Sequence, residues 1–260
     1  MVLVVLVLSA ALADVIVPYD PLKNNVGPSL EGPNGTHLFG TDTFGRDVFS
    51  RVVYGARTSL YVGIGGTLLG VLGATLLGAV SGYVGGKLDY FVQRFVDTAQ
   101  AIPPLIFLLG VLLITGPRTE YMILALGLLT GLSLSRIVRG SVIDIKNEEY
   151  VEAARSFGAS TARILAFHVL PNIFAVIIVL VSTTLGGMIV AEASLSFLGF
   201  GVPPPTPSWG GMMSVDGRIY MIAAPWLLVF PAFALTLVVF ATNMFGDALR
   251  DELDPRLRST

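Results

Sequence analysis

Residue types that could support catalysis or metal binding are scarce in this chain and lie far apart. His37 and His168 are its two histidines and there is no cysteine, so a histidine or thiolate metal site is not expected. The fragment nearest to a phosphate-binding loop, Gly82–Lys87, lacks the required glycine spacing and is followed by Leu88 instead of Ser or Thr. The sequence contains neither a nucleophile elbow nor a paired-histidine zinc motif. We therefore expect no catalytic site, metal site or cofactor site in the chain itself, which argues against an enzyme.

Two carboxylates, Asp97 and Glu192, lie in or near apolar segments, where an isolated charge is costly and often functional. Asp97 follows Arg94 by three residues, a spacing that allows an ion pair on one helix face. Glu192 falls at the predicted outer end of an apolar run, where we expect partial hydration to lower the cost of its charge. Neither residue is predicted to be a proton relay.

The composition is that of a polytopic membrane protein. Of the 260 residues, 53% are hydrophobic and 13% are charged, and the mean hydropathy is +0.77. This charged fraction is about half that of an ordinary soluble domain. A net charge of −2 without a basic stripe excludes nucleic-acid binding. The predicted fold class is all-α, in contact with membrane lipid.

Six apolar runs are comparable in length with the thickness of a bilayer. They cover approximately residues 2–17, 59–85, 101–115, 121–135, 172–191 and 221–243. The third and fourth runs are short, and we expect them to extend from about Phe91 and to about Val142. The first run could be a secretory signal, because Ala11–Ala13 resembles a cleavage site, but no basic residue precedes it. We favour an uncleaved span whose flanking segment is short or missing.

The distribution of Lys and Arg predicts that both termini are cytoplasmic. With that orientation the inner segments hold ten basic residues and the outer segments six. The resulting organisation is a single transmembrane domain over residues 1–260. Its parts are the first span with an extracytoplasmic segment (1–58), spans two to six (59–243) with a cytoplasmic loop (144–171), and a cytoplasmic tail (244–260).

Glycines and prolines predict how the spans pack. The second run has glycines four residues apart, at Gly66/Gly70, Gly78/Gly82 and Gly82/Gly86, which lets another helix approach closely. We favour packing inside one bundle over a dimer seam. Breaks or kinks in the third and sixth spans are predicted at four prolines: Pro103, Pro104, Pro225 and Pro231.

The most informative polar segment, residues 147–171, is predicted to form two short helices joined by a turn. Asn147 and Ser160 are suited to cap them, and Gly158 to end the first in a left-handed conformation. Pro171 suits the first turn of the fifth span. The small pair Ala153–Ala154 would permit close docking into a groove of another protein; the alternative is a linker that lies on the membrane surface.

This segment resembles the EAA loop of ATP-binding-cassette importer permeases. In that family the loop is a coupling helix that docks into a cleft on a cytoplasmic ATPase subunit. The ending His168-x-Leu-Pro-Asn resembles the peptide and nickel branch, and segments 37–60, 194–213 and 243–258 resemble its C-type permease subunit. The resemblance implies the following ATPase-coupling residues: Glu152, Ala153, Ala154, Arg155, Gly158, Leu170 and Pro171.

The resemblance implies a type I importer permease fold with six transmembrane helices and a cytoplasmic coupling helix. It also implies three kinds of partner: a homologous second permease that completes a heterodimer, two ATPase subunits that bind ATP and Mg, and an extracytoplasmic substrate-binding protein. The location would be the cytoplasmic membrane of a bacterium or archaeon. Peptides are the expected cargo, with nickel, glutathione or oligosaccharides as alternatives.

The outer loop from Gly199 to Pro207 is stiffened by prolines and could present a docking surface to the binding protein or serve only as a connector. Candidate docking residues are Pro203, Pro204, Pro205 and Trp209, the last also as an anchor at the membrane interface.

Two other classes of function are considered. An ion-driven secondary transporter is disfavoured because we find no charged or unwound mid-membrane segments in corresponding halves. An intramembrane enzyme is disfavoured because no catalytic constellation is found. We expect alternating access instead, driven by the ATPases and transmitted through the helix around Glu152 to Gly158.

Overall fold

The structure is a computed structural model that describes residues 2–253. Residues 254–260 of the predicted tail, with Arg256 and Arg258, lie outside the described residues. Regular structure in the described part is helical, apart from one isolated bridge between Thr41 and Asp47. The helices are α1 (Val2–Ala11), α2 (Ala13–Ile16), α3 (Val48–Val84), α4 (Gly86–Gln100), α5 (Pro104–Thr115), α6 (Thr119–Ile145), α7 (Glu149–Ser156), α8 (Thr161–Ile164), α9 (Phe174–Phe197), α10 (Trp209–Met213), α11 (Val215–Ile219) and α12 (Trp226–Leu253).

Four helices, α3, α6, α9 and α12, are long and apolar enough to cross a membrane. Helices α4 and α5 form a fifth candidate that is bent by 84° at its break. The break falls at residues 101–103, where proline was expected to interrupt the helix. The chain is therefore a polytopic all-α membrane protein. The first predicted span is present as α1 and α2, which have ten and four residues and do not reach spanning length.

Helix α3 begins at Val48, well before the apolar run predicted to start at Ser59. The side chain of Asp47 explains the earlier start. Its Oδ2 accepts from the backbone N–H of Ser50 at 2.8 Å, which caps the helix, and its Oδ1 lies 2.9 Å from Nδ1 of His37. The polar residues that precede the apolar run in the sequence are thus compatible with a helix, and α3 includes them.

The chain divides into two compact units. The first consists of the chain up to Ile64, Leu109–Ile123 and Leu185–Met244. Its core combines α3 residues such as Val52 and Ala56 with Trp209, Leu227 and Val238. In the polar segment before α3, Asp42 is paired with Arg46 at 2.6 Å between Oδ2 and Nε.

The second unit consists of Gly65–Leu108, Leu124–Thr184 and the chain from Phe245 onward. Its core joins α3, α6 and α9 to the segment around α7 and α8. A Cβ added at Gly78 would lie 2.5 Å from the Ser135 carbonyl oxygen, and one at Gly82 would lie 3.0 Å from that of Arg139. The glycines of α3 therefore pack against α6 within the same chain, as expected for bundle packing. That residues 1–260 form one transmembrane domain stays a prediction.

Candidate functional site

Helix α7 is the first of the two short helices predicted in the cytoplasmic loop. It begins after Glu148, whose extended backbone occupies the capping position, so the predicted cap at Asn147 is wrong. Within the described residues no side chain caps the helix; Glu149 and Glu152 lie in its first turn, near the positive end of the helix dipole. The helix ends as predicted at Gly158, which has a left-handed φ of +80°.

The second short helix is only partly α-helical. Ser160 caps α8 as predicted, since its hydroxyl accepts from the backbone N–H of Arg163 at 3.4 Å. A π-helical turn follows at Leu165–Val169, and α9 begins only at Phe174. Pro171 therefore lies in the turn before the span, not in its first turn as predicted. The backbone N–H of Asn172 donates to the Val169 carbonyl at 3.0 Å, and its side-chain amide Nδ2 donates to the His168 carbonyl at 2.6 Å.

The loop has a buried side and an exposed side. Val151, Ile164, Val169 and Ile173 are at most 1% exposed and belong to the core of the second unit. The predicted coupling residues fall mostly on the other side. Glu152, Ala153, Arg155, Gly158 and Pro171 are exposed, and Ala154 and Leu170 are half-buried. The structure thus places all seven on one anchored segment, with five open to contact.

Polar contacts tie this segment to the end of α3. The Arg155 guanidinium donates to the Tyr83 hydroxyl at 3.4 Å, and the ammonium of Lys146 donates to the Gly82 carbonyl at 3.3 Å. The bond to Tyr83 raises the pKa of Arg155 above its ordinary value, so Arg155 stays charged. Arg155 turns toward α3, and within residues 2–253 Glu152 has no ion-pair partner.

Two aromatic side chains on this segment were missed from the sequence. Phe157 is 91% exposed next to Gly158, and Phe167 is 72% exposed in the π-helical turn. An exposed apolar patch on a polar segment marks a site of protein contact, and Phe157 lies next to the small residues of the predicted coupling helix. The signal was present in the sequence as an aromatic residue between the small residues of α7 and the terminating glycine. We call Glu152, Ala153, Phe157 and Gly158 the coupling surface.

The proline-rich loop in the first unit presents an exposed tip. Pro203, Pro204, Pro205 and Thr206 are exposed, whereas Pro207 to Gly210 are buried. The loop borders a cavity of about 710 Å³ whose wall also carries charged side chains. These are Asp42, Arg46, Arg51 and Asp216.

Trp209 does not have the exposed position expected of an interfacial anchor or a docking contact. Its side chain is 1% exposed, and its indole Nε1 donates to the Val52 carbonyl at 2.9 Å. The indole also packs against α3 at Gly55, where an added Cβ would lie 3.2 Å from Cδ1. The bare backbone of Gly55 makes room for the ring, so Trp209 fastens the base of the loop and is not accessible to a partner.

The two intramembrane carboxylates have different surroundings. Asp97 pairs with Arg94 at 3.4 Å, as predicted from their spacing, and also with Arg136. Glu192 was expected to be partly hydrated, and this is wrong: it is fully buried, five residues before α9 ends. Hydroxyl groups satisfy the carboxyl in place of water, with Ser59 at 3.0 Å and Ser196 at 2.6 Å. Over the described range 2–253, no group of three or more acidic or histidine side chains is placed to hold a metal ion.

Sequence comparisons with known proteins agree on one family of membrane transport components. The family model for "Binding-protein-dependent transport system inner membrane component" matches residues 74–259. The oligopeptide transport system permease protein OppC of Haemophilus influenzae is 39% identical over 90% of this chain and 74% of its own length. The dipeptide transport system permease protein DppC of Bacillus subtilis is 39% identical over 99% of this chain and 80% of its own.

Among solved structures, one chain of the MetNI methionine ABC transporter in an inward-facing conformation has a similar fold. The TM-score is 0.64 at 20% sequence identity, with 80% of this chain and 98% of that chain covered. At this identity the likeness establishes a shared fold and nothing further.

Proposed function

Since this chain belongs to the family of binding-protein-dependent transport system inner membrane components, we propose that it is the C-type permease subunit of an ATP-driven peptide importer. The main support for peptides as the cargo is the 39% identity to permeases that are named for oligopeptides and dipeptides. The permease supplies half of a translocation pathway, which a homologous second permease completes. It resides in the bacterial cytoplasmic membrane.

The coupling surface is where this permease binds an ATPase subunit. Three features support this role: small residues at Ala153 and Gly158 that allow close approach, an open aromatic side chain at Phe157, and an exposed carboxylate at Glu152 that forms no ion pair within residues 2–253. An unpaired exposed carboxylate suits a basic group on the partner. Behind this surface, Val151 and Ile164 are packed in the core of the second unit. A displacement of the surface is therefore transmitted to that core.

ATP and Mg are bound and hydrolysed by the partner subunits. Nucleotide binding closes the ATPase pair, and α7 carries that motion to the spans, which alternate between inward-open and outward-open arrangements. An extracytoplasmic binding protein delivers the peptide, and the exposed tip Pro203–Thr206 contributes to its docking. The permease performs no chemistry in this cycle.

The test is uptake into liposomes that contain both permeases and the ATPase subunits, with binding protein and labelled dipeptide or oligopeptide outside. We expect uptake that requires ATP, stops with a non-hydrolysable nucleotide and is indifferent to ionophores. Unlabelled nickel, glutathione or oligosaccharide added in excess tests the cargo. Competition by one of these and not by peptide would contradict the peptide assignment, and sensitivity to ionophores would contradict the ATP-driven mechanism.

A further inference from the structure

The buried carboxyl of Glu192 links α9 to α3 inside the first unit. Its Oε2 accepts from the hydroxyl of Ser59, on α3, at 3.0 Å, and its Oε1 accepts from the hydroxyl of Ser196 at 2.6 Å. Glu192 and Ser59 are each 0% exposed. A buried carboxylate is costly unless its oxygens are hydrogen-bonded, and here both oxygens are.

From Ser196 the network continues into both stems of the proline-rich loop. The backbone N–H of Val202 donates to the Ser196 hydroxyl at 3.3 Å, and the hydroxyl of Ser208 donates to it at 3.4 Å. Ser208 in turn caps α10 by accepting from Gly211 N–H at 3.2 Å. A Cβ at Gly201 would overlap the Ser196 hydroxyl, so only a glycine fits against this group.

The base of the loop is therefore buried and hydrogen-bonded, and its tip is exposed. Val202 and Ser208 are at most 9% exposed on either side of the open tip Pro203–Thr206. The Ser196 hydroxyl accepts from both stems and donates its proton to Glu192. The carboxyl therefore sets the orientation of that hydroxyl. It belongs to the hydrogen-bond network that holds both stems, in addition to the Trp209 indole that fastens the base of the loop.

We propose that Glu192 is a positioning residue that acts through Ser196 and Ser208 to hold the tip Pro203–Thr206 in the direction needed to receive the extracytoplasmic binding protein. This inference rests on the proposed function, which supplies the docking partner. Without the carboxyl, the hydroxyls of Ser59 and Ser196 lose their buried acceptor and must turn to other partners. The bond from Val202 N–H is then no longer fixed.

The experiment titrates the binding protein against the complete importer in nanodiscs and measures ATP hydrolysis. In Glu192→Ala we expect the half-saturating concentration of binding protein to rise about tenfold, while the maximal rate changes by less than about twofold. Glu192→Gln retains an acceptor for Ser196 and is expected to restore most of the affinity. Ser194→Ala is the matched control, since Ser194 is an exposed serine of the same helix whose hydroxyl donates to the Val190 carbonyl at 2.8 Å, within its own helix.

A second measurement follows the tip itself. The chain has no cysteine, so Thr206→Cys gives a single site in this subunit for a nitroxide label. We expect the label to be immobile in the otherwise unchanged protein and mobile in Glu192→Ala. Should that variant not assemble, Ser59→Ala removes one of the two donors and is expected to give a smaller change of the same kind.

The two measurements separate the possible failures. An equally immobile label in Glu192→Ala, or in Ser59→Ala where the first does not assemble, overturns the positioning role. A mobile label with unchanged half-saturation shows that the tip is not where the binding protein docks, which overturns the docking proposal and leaves the rest of the proposed function intact. Loss of maximal rate without a change in half-saturation overturns the inference as well.

Discussion

Arg155 of α7 donates to the hydroxyl of Tyr83 near the end of α3, with 3.4 Å between Nη2 and Oη. The guanidinium also lies 5.8 Å from the centre of the Tyr83 ring. One exposed residue of the predicted coupling segment therefore also contacts the long helix beside it. It connects the predicted coupling segment with a helix that is long and apolar enough to cross a membrane.

We expect Tyr83→Phe to lower the number of peptides transported per ATP hydrolysed by a few-fold, because the hydrogen bond from Arg155 is lost while the ring remains. ATP hydrolysis itself should be retained, since the coupling surface is unchanged. The measurement is the ratio of uptake to phosphate release in liposomes. Tyr90→Phe is the control, as Tyr90 is an exposed tyrosine of α4; an equal loss in both variants would contradict a specific role for the Tyr83 hydroxyl.

Replacing Gly158 tests the turn that ends α7. Among residues 2–253 no neighbouring atom lies within 4 Å of a Cβ added at Gly158, so the cost of a side chain there comes from the φ of +80° and amounts to about 1–2 kcal/mol. We expect Gly158→Leu to hydrolyse ATP but to lose uptake, because both the turn and the close approach of the partner are disturbed. Gly158→Asn, which tolerates the left-handed conformation, should keep most of the uptake. Uptake at the normal level in the leucine variant would contradict the assignment.

The exposed ring of Phe157 should contribute to binding of the ATPase and not to folding. Phe157→Ala is expected to weaken association of the ATPase subunit by about 1–3 kcal/mol, the range for an aromatic side chain in an interface. The thermal stability of the isolated permease should not change, since the ring is 91% exposed. Phe233→Ala removes a similarly exposed ring from α12 and serves as the control. Association can be measured by titrating ATPase subunits into permease in nanodiscs; equal affinity in all three proteins would remove Phe157 from the coupling surface.

The glycine seam between α3 and α6 predicts opposite effects for two alanine substitutions in one helix. Gly78→Ala brings a Cβ to 2.5 Å from the Ser135 carbonyl and should destabilise the fold by about 1–3 kcal/mol. At Gly73 an added Cβ meets nothing within 4 Å, so Gly73→Ala should stabilise the helix by up to about 1 kcal/mol. Thermal unfolding in detergent distinguishes the two, and a Gly78→Ala protein as stable as Gly73→Ala would show that the seam can relax.

Several local features, two of them in the coupling segment, could be predicted from the sequence because they depend on neighbouring residues. The left-handed Gly158, the cap at Ser160 and the break before Pro104 each follow from the conformational preferences of one or two residues. Family resemblance added the proposed coupling role of the segment, which stays a prediction; spacing alone left a docking helix and a surface linker open.

Features set by distant residues could not be predicted. Glu192 is buried because Ser59, on another helix, supplies a donor, and Trp209 is buried because Gly55 leaves room for its ring. Likewise, the start of α3 at Val48 depends on the cap at Asp47. A prediction from apolar runs alone ends the helix at polar residues, because it takes no account of the hydrogen bonds and ion pairs that those residues form. Phe157 was overlooked because the pattern that identified the loop concerns small residues.

The close contact of α3 with α6 in the second unit limits how these helices can move. If one helix slid along the other, a residue with a side chain would take the place of Gly78 or Gly82. Its Cβ would then lie too close to the backbone of Ser135 or Arg139. The relative position of the two helices along their axes is therefore fixed. Under the proposed coupling role, a motion that reaches this unit through α7 is expected to tilt or rotate the two helices as a pair, because the close contact opposes sliding of one past the other.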